Sequence, residues 1–138
     1  FQKNLVIDNL NILPLICYEI IFTKFIQKSE RDTNLIVNIS EDGWFGNSIG
    51  PYQHFAKGIF RAVEQNSFLI RSANKGVTAI INNKGEVIKR LNPNEVGSIE
   101  LEVPLIKSKN KNKNDLIFFV LLITYILIFK FYFKNNDK

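Results

Sequence analysis

The chain has 138 residues, 46% hydrophobic and 22% charged, which suits one ordinary domain of globular class with an apolar segment rather than a disordered chain. Its net charge of +5 is concentrated in Lys107, Lys109, Lys111 and Lys113; the remainder is nearly balanced, and no basic face with interleaved aromatics argues for a nucleic-acid partner. The single cysteine, Cys17, excludes an internal disulfide, and no basic segment leading into an apolar run suggests a signal peptide.

In chain order, residues 1–106 predict alternating α and β elements. Leu5–Ile7 is a short strand. LPLICYE, 13–19, is an apolar run ending in polar residues, as a buried strand does at an active-site edge. Residues 20–30 carry Ile21, Phe22, Phe25 and Ile26 as a helical stripe. NLIVNIS, 34–40, is a β-branched strand. Asp42–Pro51 is a loop with three glycines. Residues 52–65 predict a helix, with Phe55, Ile59 and Val63 at helical spacing and Pro51 at its start. Strands follow at 67–72, 77–82 and 86–91, the last two joined by the turn NNKG, 82–85. A final strand is expected at 98–103, where SIELEV alternates. Strand–helix–strand–helix order followed by a hairpin predicts a layered α/β domain with a mixed sheet.

Beyond it, KSKNKNKND, 107–115, is a hydrated linker. Residues 116–133 then form an apolar segment, and 134–138 a tail. As a helix, 116–133 spans about 27 Å, enough for a transmembrane span in a hydrocarbon core of roughly 30 Å, with Lys130 snorkelling to the headgroups. A run apolar on every face leaves no polar side for water, which favours a membrane helix over a buried core helix. Lysines flank the span on both sides, so charge alone leaves its orientation open.

Cys17 is the first chemical candidate. It lies where a buried run meets a helix pattern, a place where a thiol can attack an acyl carbon and hold it as a thioester. A lone cysteine is in general more often an inert buried residue. His54, the one histidine, sits among core positions of a helix, and packing is its better reading. Glu19 fits a paired carboxylate at a strand end as well as an active-site group. Trp44 and Phe45 suit core plugs better than the lining of an acyl path. Arg71 and Asn74, at a strand end, receive no role. One Cys and one His make no metal site.

ICYE, 16–19, resembles the nucleophile motif of the nitrilase, or carbon–nitrogen hydrolase, superfamily. DGWFG at 42–46, GPYQH at 50–54 and RSANKGVTA at 71–79 together resemble, more narrowly, its apolipoprotein N-acyltransferase family. The resemblance covers residues 1–106 almost throughout. It implies a four-layer αββα sandwich of which this chain supplies part, followed by the C-terminal transmembrane helix. It also implies an acyltransferase of lipoprotein maturation. Cys17 takes a fatty acyl chain from a phospholipid and passes it to the α-amino group of an N-terminal diacylglyceryl-cysteine. Tyr18 and Glu19 support the site, and no cofactor or metal is implied. The implied location is the bacterial inner membrane, with the catalytic domain on the periplasmic side.

The superfamily's triad is Glu, Lys and Cys, and the resemblance puts the Glu and Lys upstream of the residues present here. Lys3 fits no such motif. Leu13 and Pro14 replace a glycine often seen before ICYE, and Thr23 replaces a proline. A start at Phe1 and the lack of any Met are those of a fragment or processed product, expected to be inactive and unstable without the missing N-terminal half. The rival readings are a membrane-anchored amidase and an inactive split-gene remnant.

Overall fold

The apolar runs assemble into one six-stranded sheet. The structure is a computed structural model and describes residues 4–23, 26, 33–105 and 114–136, the side chains of the last stretch from Leu116 to Tyr132. The strands are β1 (Leu5–Ile7), β2 (Leu10–Ile16), β3 (Leu35–Glu41), β4 (Phe68–Asn74), β5 (Thr78–Ile81) and β6 (Val87–Leu91), side by side in chain order. The pairs β2–β3 and β3–β4 are parallel; β1–β2, β4–β5 and β5–β6 are antiparallel. The sheet is therefore mixed, as the element order predicts.

Register decides where chemistry can occur. Ile16 of β2 pairs with Ile39 of β3, and Glu41 of β3 pairs with Asn74 of β4. The carboxyl ends of the three parallel strands thus lie together, the usual place for a site in an open α/β sheet.

Alternation sorts the side chains between two faces. Leu13, Leu15, Ile36, Leu69, Ala79 and Ile81 form the larger buried cluster on one face. Helix α1 (Gly50–Glu64) covers it, with Pro51, His54, Phe55, Gly58, Arg61 and Ala62 buried at helical spacing. A Cβ on Gly58 would meet Ile20 at 3.4 Å and Leu69 at 3.8 Å, ordinary packing distances, so the helix lies directly on this cluster. The opposite face carries Leu35, Phe68 and Ile80, with Ile99 and Val103 packed against them. Ile16 and Ile39, further along this face, are each 57% exposed.

Several expectations change. The run 13–19 does not stay extended to Glu19: β2 ends at Ile16 and a 3-10 turn occupies Cys17–Ile21. Within 20–30, Thr23 and Ile26 are helical, and the rest of the stripe after Thr23 lies outside the described residues. The helix expected at 52–65 begins two residues earlier, at Gly50. The strand expected at 98–103 does not form. SIELEV alternates because Ile99 and Val103 pack on the sheet face, and Lys89 Nζ donates to the Glu100 carbonyl at 2.7 Å. The turn at 82–85 forms, with Gly85 at φ 83° and the Asn82 side-chain oxygen accepting from the amides of Lys84 and Glu86.

Helix α2 (Asn114–Asn136) has 23 residues, taking in the expected span, the end of the linker and the start of the tail; the other linker residues lie outside the described ones. The described side chains from Leu116 to Tyr132 are exposed. Among the described residues no helix is long and apolar enough to cross a membrane, so the structure does not support the expected transmembrane helix.

The larger cluster sets stability. Ile36 is fully buried at its centre, and Ile36→Ala should destabilise the protein by about 2–5 kcal/mol. Urea unfolding of the protein that carries this chain measures the loss.

Candidate active site

The site is built on period-two alternation at the ends of β3 and β4. Asn38 and Ser40 follow Ile36 onto the helix-covered face, and Arg71 follows Leu69. Three polar side chains therefore enter a face that is otherwise apolar core. Asn38 and Arg71 are at most 1% exposed and Ser40 6%, so each must be hydrogen-bonded within the protein.

Asp42, the first residue after β3, meets that need. Its carboxylate is fully buried. Oδ2 accepts from Arg71 Nη2 at 2.7 Å. Oδ1 lies 2.7 Å from Ser40 Oγ and 2.8 Å from His54 Nδ1. Arg71 also donates from Nη1 to Asn38 Oδ1 and from Nε to the Val77 carbonyl at 3.2 Å. Asn38 in turn donates to the carbonyls of Leu15, at 2.9 Å, and Cys17, at 3.4 Å. A Cβ on Gly76 would overlap the Asp42 carboxylate, so glycine at 76 makes room for it.

Cys17 stands at the edge of this network. It is half-buried, with φ of 48°, a left-handed conformation that a residue bearing a Cβ adopts at a cost. The strained turn lifts the side chain off the end of β2. Sγ lies 3.8 Å from Ser40 Oγ and 3.9 Å from the Glu41 carbonyl. Glu19 braces the turn, its Oε2 accepting from the Ile16 amide at 2.7 Å. The Tyr18 ring is 5.4 Å from the His54 ring, and Phe45 packs on the other side at 5.7 Å.

Burial alone would raise the Asp42 pKa. The hydrogen bonds from His54 and Ser40 and the charge of Arg71 outweigh it and hold the carboxyl below the ordinary aspartate range. Burial pulls Arg71 below the usual guanidinium range, against the attraction of Asp42. Exposed Glu41 is held below the ordinary glutamate range by the Asn74 side chain, at 2.6 Å, and the Gly43 amide, at 2.7 Å.

Among the expected site residues, the structure brings Cys17, Tyr18 and Glu19 into one turn. His54 does pack in the core, yet as a ligand of Asp42 rather than as filler; its Nε2 is buried without a hydrogen-bond partner. Trp44 does not plug the core: it is 87% exposed, because the 3-10 turn Gly43–Phe45 sends Phe45 inward to His54 and Trp44 outward. Ser40, Asp42 and Asn38 were not singled out by sequence reasoning, and Arg71 was left without a role. The available signal was polar residues at period two inside a β-branched strand. Among the described residues no three His, Cys, Asp or Glu side chains gather as a metal site requires.

The Asp42 network has a pH signature. A depressed carboxylate contributes stability that is complete above its unfolded value, about 3.9, and is lost as pH falls through the lower folded value. Asp42→Asn should remove that part of the acid limb. It should also cost about 3–5 kcal/mol at neutral pH, since Arg71 would keep a buried, unpaired charge. Urea midpoints measured from pH 2 to pH 7 read both effects.

The carbon–nitrogen hydrolase family matches residues 2–110. The chain is 43% identical over 127 residues to the apolipoprotein N-acyltransferase of Rickettsia bellii, an alignment covering 86% of this chain and 26% of that protein. It is 49% identical over 94 residues to the same-named protein of Rhizobium leguminosarum, covering 68% and 18%. The chain thus spans about a quarter or less of the length of these curated relatives. Among solved structures, it is similar to a carbon–nitrogen hydrolase from Helicobacter pylori, with TM-score 0.57 and 11% identity over 68% of this chain and 40% of that one. It is also similar to an amidase from Nesterenkonia sp., with TM-score 0.52 and 17% identity over 65% and 36%. These two likenesses concern the fold, a nitrilase-like α/β arrangement with a mixed sheet. With its family match running through every strand of the sheet, this chain belongs to the carbon–nitrogen hydrolase family.

Proposed function

We propose that this chain is the nucleophile-bearing C-terminal part of an apolipoprotein N-acyltransferase acting in lipoprotein maturation. The observation that carries the reading is Cys17, raised on a strained turn at the carboxyl ends of the parallel strands, in a chain 42–49% identical to proteins of that name.

In this reading the Cys17 thiol loses its proton to a general base and attacks the ester carbonyl of a phospholipid acyl chain. The C–O bond breaks, and the lysophospholipid leaves after taking up a proton. The resulting thioester is attacked by the α-amino group of the diacylglyceryl-cysteine of an apolipoprotein. A C–N bond forms, the C–S bond breaks, and the thiol is restored. Glu19 holds the turn that presents the sulfur, and Tyr18 stands beside it. The general base and the oxyanion-stabilising lysine, Glu and Lys in the resemblance, come from upstream sequence in the complete protein.

The acyl donor is a membrane lipid, and α2 supplies a reason for the enzyme to stay beside it. Its described side chains are exposed and, apart from Thr124 and Lys130, apolar or aromatic. An apolar surface of that kind is stable in lipid and costly in water. In this reading the exposed apolar side chains of α2 hold the protein at the lipid, with the catalytic part on the periplasmic face of the inner membrane.

The test uses the complete protein with phospholipid vesicles and a diacylglyceryl-cysteine peptide. Cys17→Ala should abolish N-acylated product, a loss of at least about 10³-fold. Retention of product by that variant contradicts the mechanism. Release of ammonia from small amides with no acylated peptide would favour an amidase instead.

A further inference from the structure

Ser40 has one hydroxyl proton and two acceptors within its reach. Its Oγ is 2.7 Å from Asp42 Oδ1 and 3.8 Å from Cys17 Sγ. A single O–H serves one of them at a time. While Cys17 is a thiol, the shorter contact takes the proton, and the S–H can point to the Glu41 carbonyl at 3.9 Å or to a lone pair of Ser40. Once the sulfur is a thiolate it has no proton of its own and requires a donor. Asp42 can release Ser40 at that moment, because His54 Nδ1 at 2.8 Å and Arg71 Nη2 at 2.7 Å remain on the carboxylate. The hydroxyl is 6% exposed as a residue, so water competes poorly for it.

We propose that Ser40 is a further catalytic residue, a hydroxyl that donates to Asp42 in the resting enzyme and turns to donate to the Cys17 sulfur whenever it carries negative charge. The inference rests on Cys17 being the nucleophile, as in the function proposed above. No proton moves between Ser40 and Cys17; the O–H rotates about its Cβ–Oγ bond, and the thiol proton leaves to the general base. The charged sulfur occurs twice per turnover, before acyl uptake and at release of the acyl group to the amine. Asp42, Arg71 and His54 act through Ser40 as positioning residues: they keep Oγ between the two acceptors and keep the carboxylate satisfied when Ser40 turns away.

Ser40→Ala removes the hydroxyl and leaves the Asp42 bonds to Arg71 and His54 in place. Two readouts apply to the complete protein: iodoacetamide labelling of Cys17, followed by peptide mass, and steady-state acyl transfer. The expected result is labelling slowed about tenfold, the scale of one lost hydrogen bond to a charged group. The fall in kcat should be similar, with KM for the phospholipid unchanged. Ser72→Ala, one strand over and on the opposite face, should match wild type in both. Wild-type labelling and kcat in Ser40→Ala would overturn the assignment. The labelling comparison does not use the acyl substrates, so it decides the role of Ser40 even if Cys17→Ala shows that the acyltransferase reading has failed.

Discussion

The buried ion pair between Asp42 and Arg71 is the interaction on which the rest of the site depends. Both side chains are fully removed from water, where an isolated charge would cost several kcal/mol. The protein meets that cost with geometry. Arg71 spends its donors on Asp42, Asn38 and the Val77 carbonyl, and Asp42 gathers Ser40, His54 and Arg71 around one carboxylate. Such a pair contributes little net stability over an apolar replacement, whereas breaking it by removing one partner is strongly destabilising. Its value here lies in what it fixes. The pair ties β3 to β4, His54 brings in α1, and the Asn38 bonds to the Leu15 and Cys17 carbonyls anchor the end of β2. Cys17 is presented by a turn held by hydrogen bonds that lead back to Asp42 and Glu19 and by Ile20 buried in the core.

The elements that were readable in the sequence are those where local pattern and tertiary demand agree. The β-branched run at 34–40, the helix led by Pro51 and the turn at Asn82–Gly85 each combine propensity with a clear period or breaker. The position proposed for the nucleophile stands out through ICYE only as a resemblance; its left-handed φ does not, since nothing in Cys17 itself favours that conformation. The segment 98–103 shows the opposite failure. Alternation there reports correctly that Ile99 and Val103 meet an apolar surface, but a period of two does not guarantee a ladder partner.

The network under Cys17 escaped the sequence reading for a physical reason. Asn38, Ser40, Asp42, His54 and Arg71 are spread over four tens of the numbering and converge only through strand register and helix docking. In isolation each has an ordinary explanation: a strand polar residue, a loop acid, a packed histidine, a strand-end arginine. The clue was that polar residues at 38 and 40 share the face of buried Ile36. A strand whose buried face turns polar toward its carboxyl end is approaching a site. Trp44 misled for a related reason, because a short turn sends adjacent aromatics to opposite sides and sequence does not say which goes in.

If the Cys17 sulfur carries the acyl group, the acyl-enzyme can be trapped there. The complete protein is incubated with phospholipid vesicles in the absence of an amine acceptor, quenched in acid and digested, and the Cys17 peptide is weighed. The expected result is a mass increase equal to the donor's acyl chain on Cys17, removed by hydroxylamine and discharged when the acceptor peptide is added before the quench. N-acylated product forming under turnover while Cys17 never carries an acyl group would contradict it.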